Sequence, residues 1–282
     1  MMLLPIIYYI LFHYLPLYGV LIAFKDYKIA KGVWGSPWVG FKWFEKFLAD
    51  PYFWKLVKNT LLLNIYGLLW GFPVPILLAL MLNEVTNAKF KRAIQTVSYL
   101  PHFISTVVVC GMVMNFLSLD GIINQIIAAF GFDKIQFMVL PEWFRTIFTA
   151  SGIWQTCGWT SIIYLSALTS VDQEILEAAM IDGCSMMQSF FYVILPCLKS
   201  TTVSVVILNG VGIWNDYQFQ LYFLQKPAMR TITLAISTFF TDSKQDLGAA
   251  AAAAFIVVLP PVLIYIFLQK YFVKGAMDSA VK

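Results

Sequence analysis

The chain has 282 residues, of which 60% are hydrophobic, 17% aromatic and 12% charged, and its net charge is +4 at neutral pH. Soluble globular domains carry about 25% charged residues, so this composition, with a mean hydropathy of +0.76, indicates an integral membrane protein. The basic residues are spread over the loops and form no basic patch of the kind that binds nucleic acid.

Long apolar runs determine the expected fold. A helix of about 20 apolar residues crosses the hydrocarbon core, and continuous runs rather than alternating ones indicate helices rather than barrel strands. The runs of sufficient length are 1–24, 60–83, 99–118, 146–169, 201–224 and 248–270. The first has no Lys or Arg ahead of it and no Ala-x-Ala cleavage pattern, so it is interpreted as a span and not as a cleaved signal peptide. We expect an all-α, polytopic membrane protein with six transmembrane helices.

Several residues along these runs predict mechanical features. Pro73 and Pro75 are expected to kink the second span, and Pro260 and Pro261 to bend the sixth. The small residues of 248–254 predict a smooth helix face for close packing. The loop between the first two spans contains four tryptophans and is expected to lie along the outer membrane surface. These are Trp34, Trp38, Trp43 and Trp54.

The spans contain little that could drive transport or catalysis. Asp216 is the only carboxylate well within a run, whereas ion-driven carriers usually hold paired carboxylates there. No Gly-x-x-x-x-Gly-Lys-Ser/Thr phosphate loop occurs, so any ATP must be bound by a partner. The two histidines, His13 and His102, are expected to be packed or interfacial. The cysteines form no Cys-x-x-Cys pair, and neither a metal site nor a disulfide framework is expected. They are Cys110, Cys157, Cys184 and Cys197.

Residues 172–196 interrupt the apolar pattern and predict a first short helix followed by a sharp turn. Asp172 is placed to cap this helix, with Glu174 and Glu177 near its N-terminal end, where the helix dipole favours negative charge. Gly183 suits the left-handed position that ends a helix.

A second short helix is predicted after the turn. Ser185 and Gln188 have the spacing of a capping box, and Pro196 is expected to stop this helix. Small Ala178 and Ala179 would let such an elbow settle into a groove on another protein, with Glu177 pairing with a basic rim. A solvated loop, or a helix lying on the membrane, is the alternative that the residues alone leave open.

The elbow resembles the cytoplasmic signature of permease subunits from binding-protein-dependent ABC importers. The matching residues are Glu177, Ala178, Ala179, Gly183, Val193, Leu195 and Pro196. Residues 23–27, 164–168, 214–216 and 268–275 are similar to the carbohydrate-uptake branch of that family, which handles maltose, multiple sugars and oligosaccharides. The first half looks most like complex-oligosaccharide permeases, whereas 214–216 and the tail look more like the second subunit of maltose-type systems.

The resemblance implies the type I ABC importer permease fold in the cell membrane, with the elbow as the helix that couples to the ATPases. The implied coupling residues are Glu177, Ala178, Ala179, Asp182, Gly183, Leu195 and Pro196. The implied partners are a second permease subunit, two ATP-binding subunits, an extracytoplasmic solute-binding protein, the carbohydrate substrate and membrane lipid. The chain itself is then not an enzyme and needs no cofactor, because ATP is bound and hydrolysed on a separate subunit.

This resemblance also sets the orientation, because it requires loop 170–199 to be cytoplasmic and hence both termini inside. The positive-inside rule points the other way, since the first outer loop then carries seven lysines. They are Lys25, Lys28, Lys31, Lys42, Lys46, Lys55 and Lys58. The expected organisation is a first span with its outer loop (1–55), a permease core (56–270) with the elbow at 170–196, and a cytoplasmic tail (271–282).

A sugar path requires aromatic faces and planar hydrogen-bonding groups around a water-filled cavity between spans. The candidates are Asn115, Trp154, Gln155, Tyr164, Asn209, Trp214, Asn215 and Asp216. Each alone is also explained by helix packing or by the lipid interface. The alternatives to a sugar permease are an ABC permease for a non-sugar solute, a secondary ion-coupled carrier, and a membrane enzyme.

Overall fold

The computed structural model describes residues 2–168, 178–179, 181–223, 229–241 and 247–280. Within these ranges the regular structure is helical, apart from an isolated antiparallel bridge between Lys25 and Trp38. The first half contains α1 (Leu3–Tyr9), α2 (Gly32–Gly35), α3 (Lys42–Leu48), α4 (Phe53–Gly71), α5 (Pro73–Glu84), α6 (Ala88–Tyr99), α7 (Thr106–Leu117) and α8 (Ile122–Ala129). The second half contains α9 (Pro141–Leu168), α10 (Met186–Ser189), α11 (Leu195–Cys197), α12 (Lys199–Asn215), α13 (Gln218–Phe223), α14 (Ile232–Thr241) and α15 (Leu247–Ala280).

Helices occupy all six of the predicted runs. Four helical segments are long and apolar enough to cross a membrane, and Thr201–Asn215 is a shorter apolar helix. The four are Leu3–Phe24, Phe53–Glu84, Thr106–Ala129 and Leu247–Gln269. The first run continues beyond α1 as a π-helical turn and a 3-10 helix. Residues 146–168 of the fourth run lie within α9, which is 28 residues long. The all-α polytopic architecture is confirmed.

Two predicted boundaries were wrong. The third run was expected to begin at residue 99, but Pro101 lies in a 3-10 turn (Leu100–Phe103) and Ser105 then caps α7 through a bond from the Val108 backbone N–H at 3.4 Å. The fifth run was expected to be one helix, but it breaks after Asn215. Asp216 has extended backbone at this break and accepts a bond from the Gln220 backbone N–H, which starts α13.

The second span is interrupted before Pro73, whereas the bend expected at Pro260 and Pro261 stays a prediction. Helix α4 ends at Gly71 and α5 begins at Pro73, so the second span is interrupted there. Proline is tolerated in the first turn of a helix because its missing N–H would have no partner there. Pro260 and Pro261, in contrast, lie inside α15, where the chain loses backbone hydrogen bonds.

The chain divides into two compact units, of which the first combines residues 1–60 with 230–263. Its core places Ala23, Trp43 and Phe44 against Ala249 and Ala252. A Cβ at Gly248 would overlap the Trp43 ring. The predicted small-residue face of 248–254 is therefore a packing surface for the loop that follows the first span.

The second unit combines residues 61–229 with 264–282. Its largest described core joins α4, α7, α9 and α13, and Phe148 of α9 meets Phe219 of α13 at 5.8 Å between ring centroids. Helix α9 also packs against α6, where a Cβ at Gly158 would overlap the Ser98 carbonyl. His102 stacks on Trp159 at 4.6 Å with nearly parallel rings, which confirms that it is a packed residue.

Candidate translocation cavity and coupling elbow

A cavity of about 200 Å³ lies in the second unit, between α4, α9, α12 and α13. Its wall is formed by Gly67, Gly71, Phe148, Thr149, Gly152, Ile153, Thr156, Leu208, Asn209, Gly212, Ile213, Asp216 and Phe219. Each of these helices contributes lining residues, so the cavity is a half-open cleft between helices.

Four glycines line the cavity. Gly67 and Gly71 are one turn apart on α4, so they present the same face. A Cβ on Gly152 or on Gly212 would have no neighbouring atom within 4 Å. The space next to these two glycines is therefore unfilled, and any larger side chain at either position would project into it.

The rest of the wall combines polar groups with aromatic rings. Asn209 supplies an amide and Asp216 a carboxylate, while Phe148 and Phe219 supply apolar rings. The Thr156 hydroxyl donates to the Gly152 carbonyl at 2.7 Å, which satisfies it within its own helix. Aromatic faces beside a few planar polar groups are the lining that small polar ligands require.

The structure brings two of the predicted path residues together in this cavity, Asn209 and Asp216. Three others are buried elsewhere in the packing. The Gln155 side-chain amide donates to the Ile104 carbonyl at 2.9 Å. Tyr164 is fully buried in a cluster with Ile76 and Leu198, and Trp214 is also buried. The remaining three, Asn115, Trp154 and Asn215, are exposed and do not line the cavity.

The sequence reasoning missed most of the cavity wall. Gly152, Gly212 and Thr149 were not singled out, because small residues inside a span are ordinarily explained by helix packing. The signal that could have found them is glycine spacing, since Gly67 and Gly71 repeat at one turn on a helix next to α9 and α12. Only the folded chain shows that these faces meet an unfilled volume.

The predicted elbow turn is present in its described part. Ala178 and Ala179 are helical, and Gly183 has the left-handed φ of +84° that was predicted for it. The backbone N–H of Cys184 donates to the Ala179 carbonyl at 3.0 Å. This bond spans five residues around a left-handed glycine, which is the Schellman arrangement that ends a helix. Asp172, Glu174 and Glu177 lie outside the described residues.

The predicted capping box also forms. The Ser185 backbone N–H donates to the Gln188 side-chain oxygen at 2.8 Å, and the Gln188 backbone N–H donates to the Ser185 hydroxyl at 3.4 Å. The expected stop at Pro196 was wrong. A π-helical turn (Phe190–Ile194) runs into α11 and α12, and Pro196 lies in the first turn of α11, where it needs no N–H partner.

One feature of the elbow was not anticipated from the sequence. Ile181, directly before the turn, is 85% exposed, and Asp182 and Gly183 beside it are exposed as well. A single exposed apolar residue is common on a protein surface. Here it stands on the outside of a turn that two hydrogen-bonded motifs hold in shape, so its position is well defined.

Comparison with known proteins identifies the family. Residues 71–277 match the family described as binding-protein-dependent transport system inner membrane component. The chain is 42% identical over 242 residues to the polygalacturonan/rhamnogalacturonan transport system permease protein YteP of Bacillus subtilis (strain 168), covering 85% of this chain and 75% of that protein. It is 30% identical to the melibiose/raffinose/stachyose import permease protein MelC of the same organism, covering 96% and 92% of the two chains.

A solved structure with a similar fold supports the same assignment. A chain of a bacterial ABC transporter involved in the import of the acidic polysaccharide alginate superposes with a TM-score of 0.84 at 34% identity, covering 97% of this chain and 93% of that one. The family match includes the elbow and every cavity-lining residue except Gly67. The chain therefore belongs to the inner-membrane permease family of binding-protein-dependent ABC transport systems.

Proposed function

We propose that this chain forms one half of the translocation path of an ATP-driven importer for a sugar or oligosaccharide. The observation that carries this proposal is the cavity between α4, α9, α12 and α13, with Asn209 and Asp216 beside the Phe148 and Phe219 rings. Sugars offer hydroxyls to planar polar groups and apolar C–H faces to aromatic rings, so this lining suits them. Relatives named for sugar and polysaccharide transport support the same ligand class.

Energy and substrate delivery come from partner proteins in this proposal. The described spans contain Asp216 as their one internal carboxylate, which gives no paired site for a driving ion. A similar solved transporter is in complex with an oligosaccharide-bound periplasmic protein, and this chain is proposed to receive its substrate in the same way. It pairs with a second permease subunit, and the two permeases rest on two ATP-binding subunits.

The elbow is the proposed contact with the ATP-binding subunit. The capping box and the glycine turn hold it rigidly, and Ile181 projects from it as an exposed apolar knob. A rigid helical elbow with an apolar anchor fits a groove on a partner, and motion of that partner is passed on as rigid-body rotation of the spans. The proposed coupling set is Glu177, Ala178, Ala179, Asp182, Gly183, Leu195 and Pro196.

Filling the cavity tests the path. Gly152→Leu and Gly212→Leu each add a side chain where a Cβ meets nothing within 4 Å, so the protein is expected to fold while the path is obstructed. Uptake of a labelled oligosaccharide by cells that carry the complete transporter should fall by about tenfold or more, which corresponds to about 1.4 kcal/mol on the transport barrier. The amount of the protein in the membrane should be unchanged.

Gly111→Leu is the matched control. Gly111 lies inside α7, where an added Cβ would meet nothing within 4 Å, yet it is not part of the cavity wall. Uptake by this variant should equal that of the wild type. Full uptake by both cavity variants would refute the proposed path. The proposed partner is tested separately, by asking whether an ATPase is retained when the wild-type chain is purified.

A further inference from the structure

The net charge of the chain is concentrated in one segment. Residues 25–58 hold seven lysines and three carboxylates, a net charge of +4, which equals the net charge of the whole chain. This segment, the Lys/Trp loop, joins the first two spans. In the orientation that the family implies it lies outside the cell, where the positive-inside rule predicts few lysines. A specific role for these cations would explain their retention.

Two of the three exposed tryptophans of this loop lie at the ends of the two spans, Trp38 and Trp54. Trp38 is 62% exposed, and its ring stacks on that of Phe24 at 5.6 Å with nearly parallel planes. Phe24 is the last residue of the first span, and Trp54, 72% exposed, is the second residue of the next. Both indole rings therefore lie at the boundary of the hydrocarbon, the depth at which tryptophan is enriched in membrane proteins.

Helix α4 shows which side of this boundary meets lipid. Trp54, Lys58, Leu61 and Ile65 follow one another at helical spacing and share one face. Leu61 and Ile65 are 46% and 58% exposed, as expected of a face that contacts lipid tails. Lys58 and Trp54 lie on the same face, one and two turns nearer the outside respectively, at the depth of the lipid headgroups.

The lysines divide into two groups. Three are held by the protein: Lys25 donates to the Val33 carbonyl at 2.8 Å, and Lys42 and Lys46 lie 4.9 and 5.2 Å from the Trp43 ring centre. The others are exposed at the two ends of the loop, close to the spans. These are Lys28, Lys31, Lys55 and Lys58.

We propose that the Lys/Trp loop binds the headgroups of anionic phospholipids, with exposed lysines on the phosphates and exposed tryptophans at the acyl boundary. A lysine near an anionic membrane surface increases binding by about fivefold, and four lysines of this loop are exposed. An acidic oligosaccharide would also attract lysines and stack on indole rings. The positions of Trp38 and Trp54 at the span ends favour lipid, because a soluble sugar does not occupy that depth.

Fluorescence quenching by brominated lipid tests this proposal. The full chain with its co-purified subunits is placed in nanodiscs of phosphatidylglycerol and phosphatidylcholine, with bromine on the acyl chains of one lipid or of the other. For the wild type we expect phosphatidylglycerol enrichment of about tenfold around the quenched tryptophans. High salt should reduce this enrichment, since exposed charges are screened.

Variants assign the effect to the loop. The quadruple change Lys28→Gln, Lys31→Gln, Lys55→Gln and Lys58→Gln should make the two lipids quench equally. A triple variant should remove the additional quenching that brominated phosphatidylglycerol causes. Its changes are Trp34→Phe, Trp38→Phe and Trp54→Phe. The matched control changes four lysines outside the loop, Lys89→Gln, Lys91→Gln, Lys134→Gln and Lys199→Gln, and should retain the wild-type preference.

Three results would overturn the proposal, and the first of them needs no variant. Equal quenching by the two brominated lipids in the wild-type protein at low salt would show that the loop does not select anionic headgroups. Loss of the preference on addition of trigalacturonate would show that the patch takes an acidic sugar instead. Failure of the control set to retain the preference would assign the selectivity to other lysines.

Discussion

Asn124 shows how one side chain can fix a loop between two helices. It is fully buried in α8, and its amide donates to the Ser118 and Ile135 carbonyls at 2.9 Å each while its oxygen accepts from the Ile135 backbone N–H at 2.8 Å. The segments before and after α8 are thereby tied to the same residue. A buried amide with three backbone partners is a structural clip and not a ligand contact.

Asn124→Leu keeps the branched shape and the number of heavy atoms of the side chain but removes all of these hydrogen bonds. Each buried backbone group left without a partner costs about 1–3 kcal/mol, so we expect the midpoint of thermal unfolding in detergent to fall by about 5 °C or more. Gln125→Leu is the control, because the exposed Gln125 amide donates one hydrogen bond, to the Asp120 carbonyl. That variant should unfold within about 2 °C of the wild type, and an equal effect of both changes would contradict the assignment.

Single residues also show why only part of the candidate site could be predicted from the sequence. Asn209 and Asp216 were predictable because a polar group inside an apolar run needs an explanation. Gln155 met the same criterion, yet it bonds to a backbone carbonyl at the end of the 3-10 turn before α7. Sequence cannot separate these cases, since both place an amide in a span and only the neighbouring helix decides whether it meets a cavity or a carbonyl.

The contact between α6 and α9 depends on one glycine. A Cβ at Gly158 would overlap the backbone carbonyl of Ser98, near the end of α6. Backbone atoms inside a helix cannot move aside as the end of a flexible side chain can. The two helices are therefore closer at this point than any larger residue allows.

Gly158→Ala should accordingly destabilise the protein, although alanine is the better helix former. Overpacking costs about 1–3 kcal/mol, which exceeds the gain of about 1 kcal/mol that alanine normally provides in a helix. Gly111→Ala, inside α7 with open space around it, should show that gain as a higher unfolding temperature. Opposite signs for the two variants in thermal unfolding are the expected result, and the same sign would contradict the close approach.

At the element scale, the sequence predicted the positions of the spans better than the interruptions within them. Apolar length determines where a span can lie, which is why all six runs contain helices. The break at Asp216 was missed because hydropathy averages over a window, whereas a carboxylate that caps α13 acts on a single peptide group. The prediction for Pro196 failed because proline ends a preceding helix or begins a following one, and the sequence alone does not decide between them.

At the scale of the whole molecule, the proposed function requires that the elbow pass on motion generated by a partner. Sequence resemblance predicted the role of this segment, and the hydrogen bonds of Gly183, Ser185 and Gln188 explain how it is held in shape. The role itself remains a proposal about partners. It can be tested because the chain contains a second turn of the same construction at Gly131.

Gly131 has φ of +81°, and the Phe132 backbone N–H donates to the Ile127 carbonyl at 3.2 Å around it. Gly183 has the same arrangement with φ of +84°. A Cβ would meet nothing within 4 Å at either glycine. The local cost of a substitution should therefore be equal at the two sites, so any difference in transport must arise from what each turn contacts.

Gly183→Pro and Gly131→Pro use this equivalence. Proline fixes φ near −65° and cannot adopt either turn, so both variants should lose about the same stability. Only Gly183→Pro should reduce oligosaccharide uptake, by about tenfold or more, because a distorted elbow no longer transmits closure of the ATPases. The amount of protein in the membrane and substrate-stimulated ATP hydrolysis are measured together. In the Gly183→Pro variant, hydrolysis should lose its dependence on substrate. Equal uptake by the two variants would show that the elbow does not couple ATP hydrolysis to transport, even though the fold around the cavity is intact.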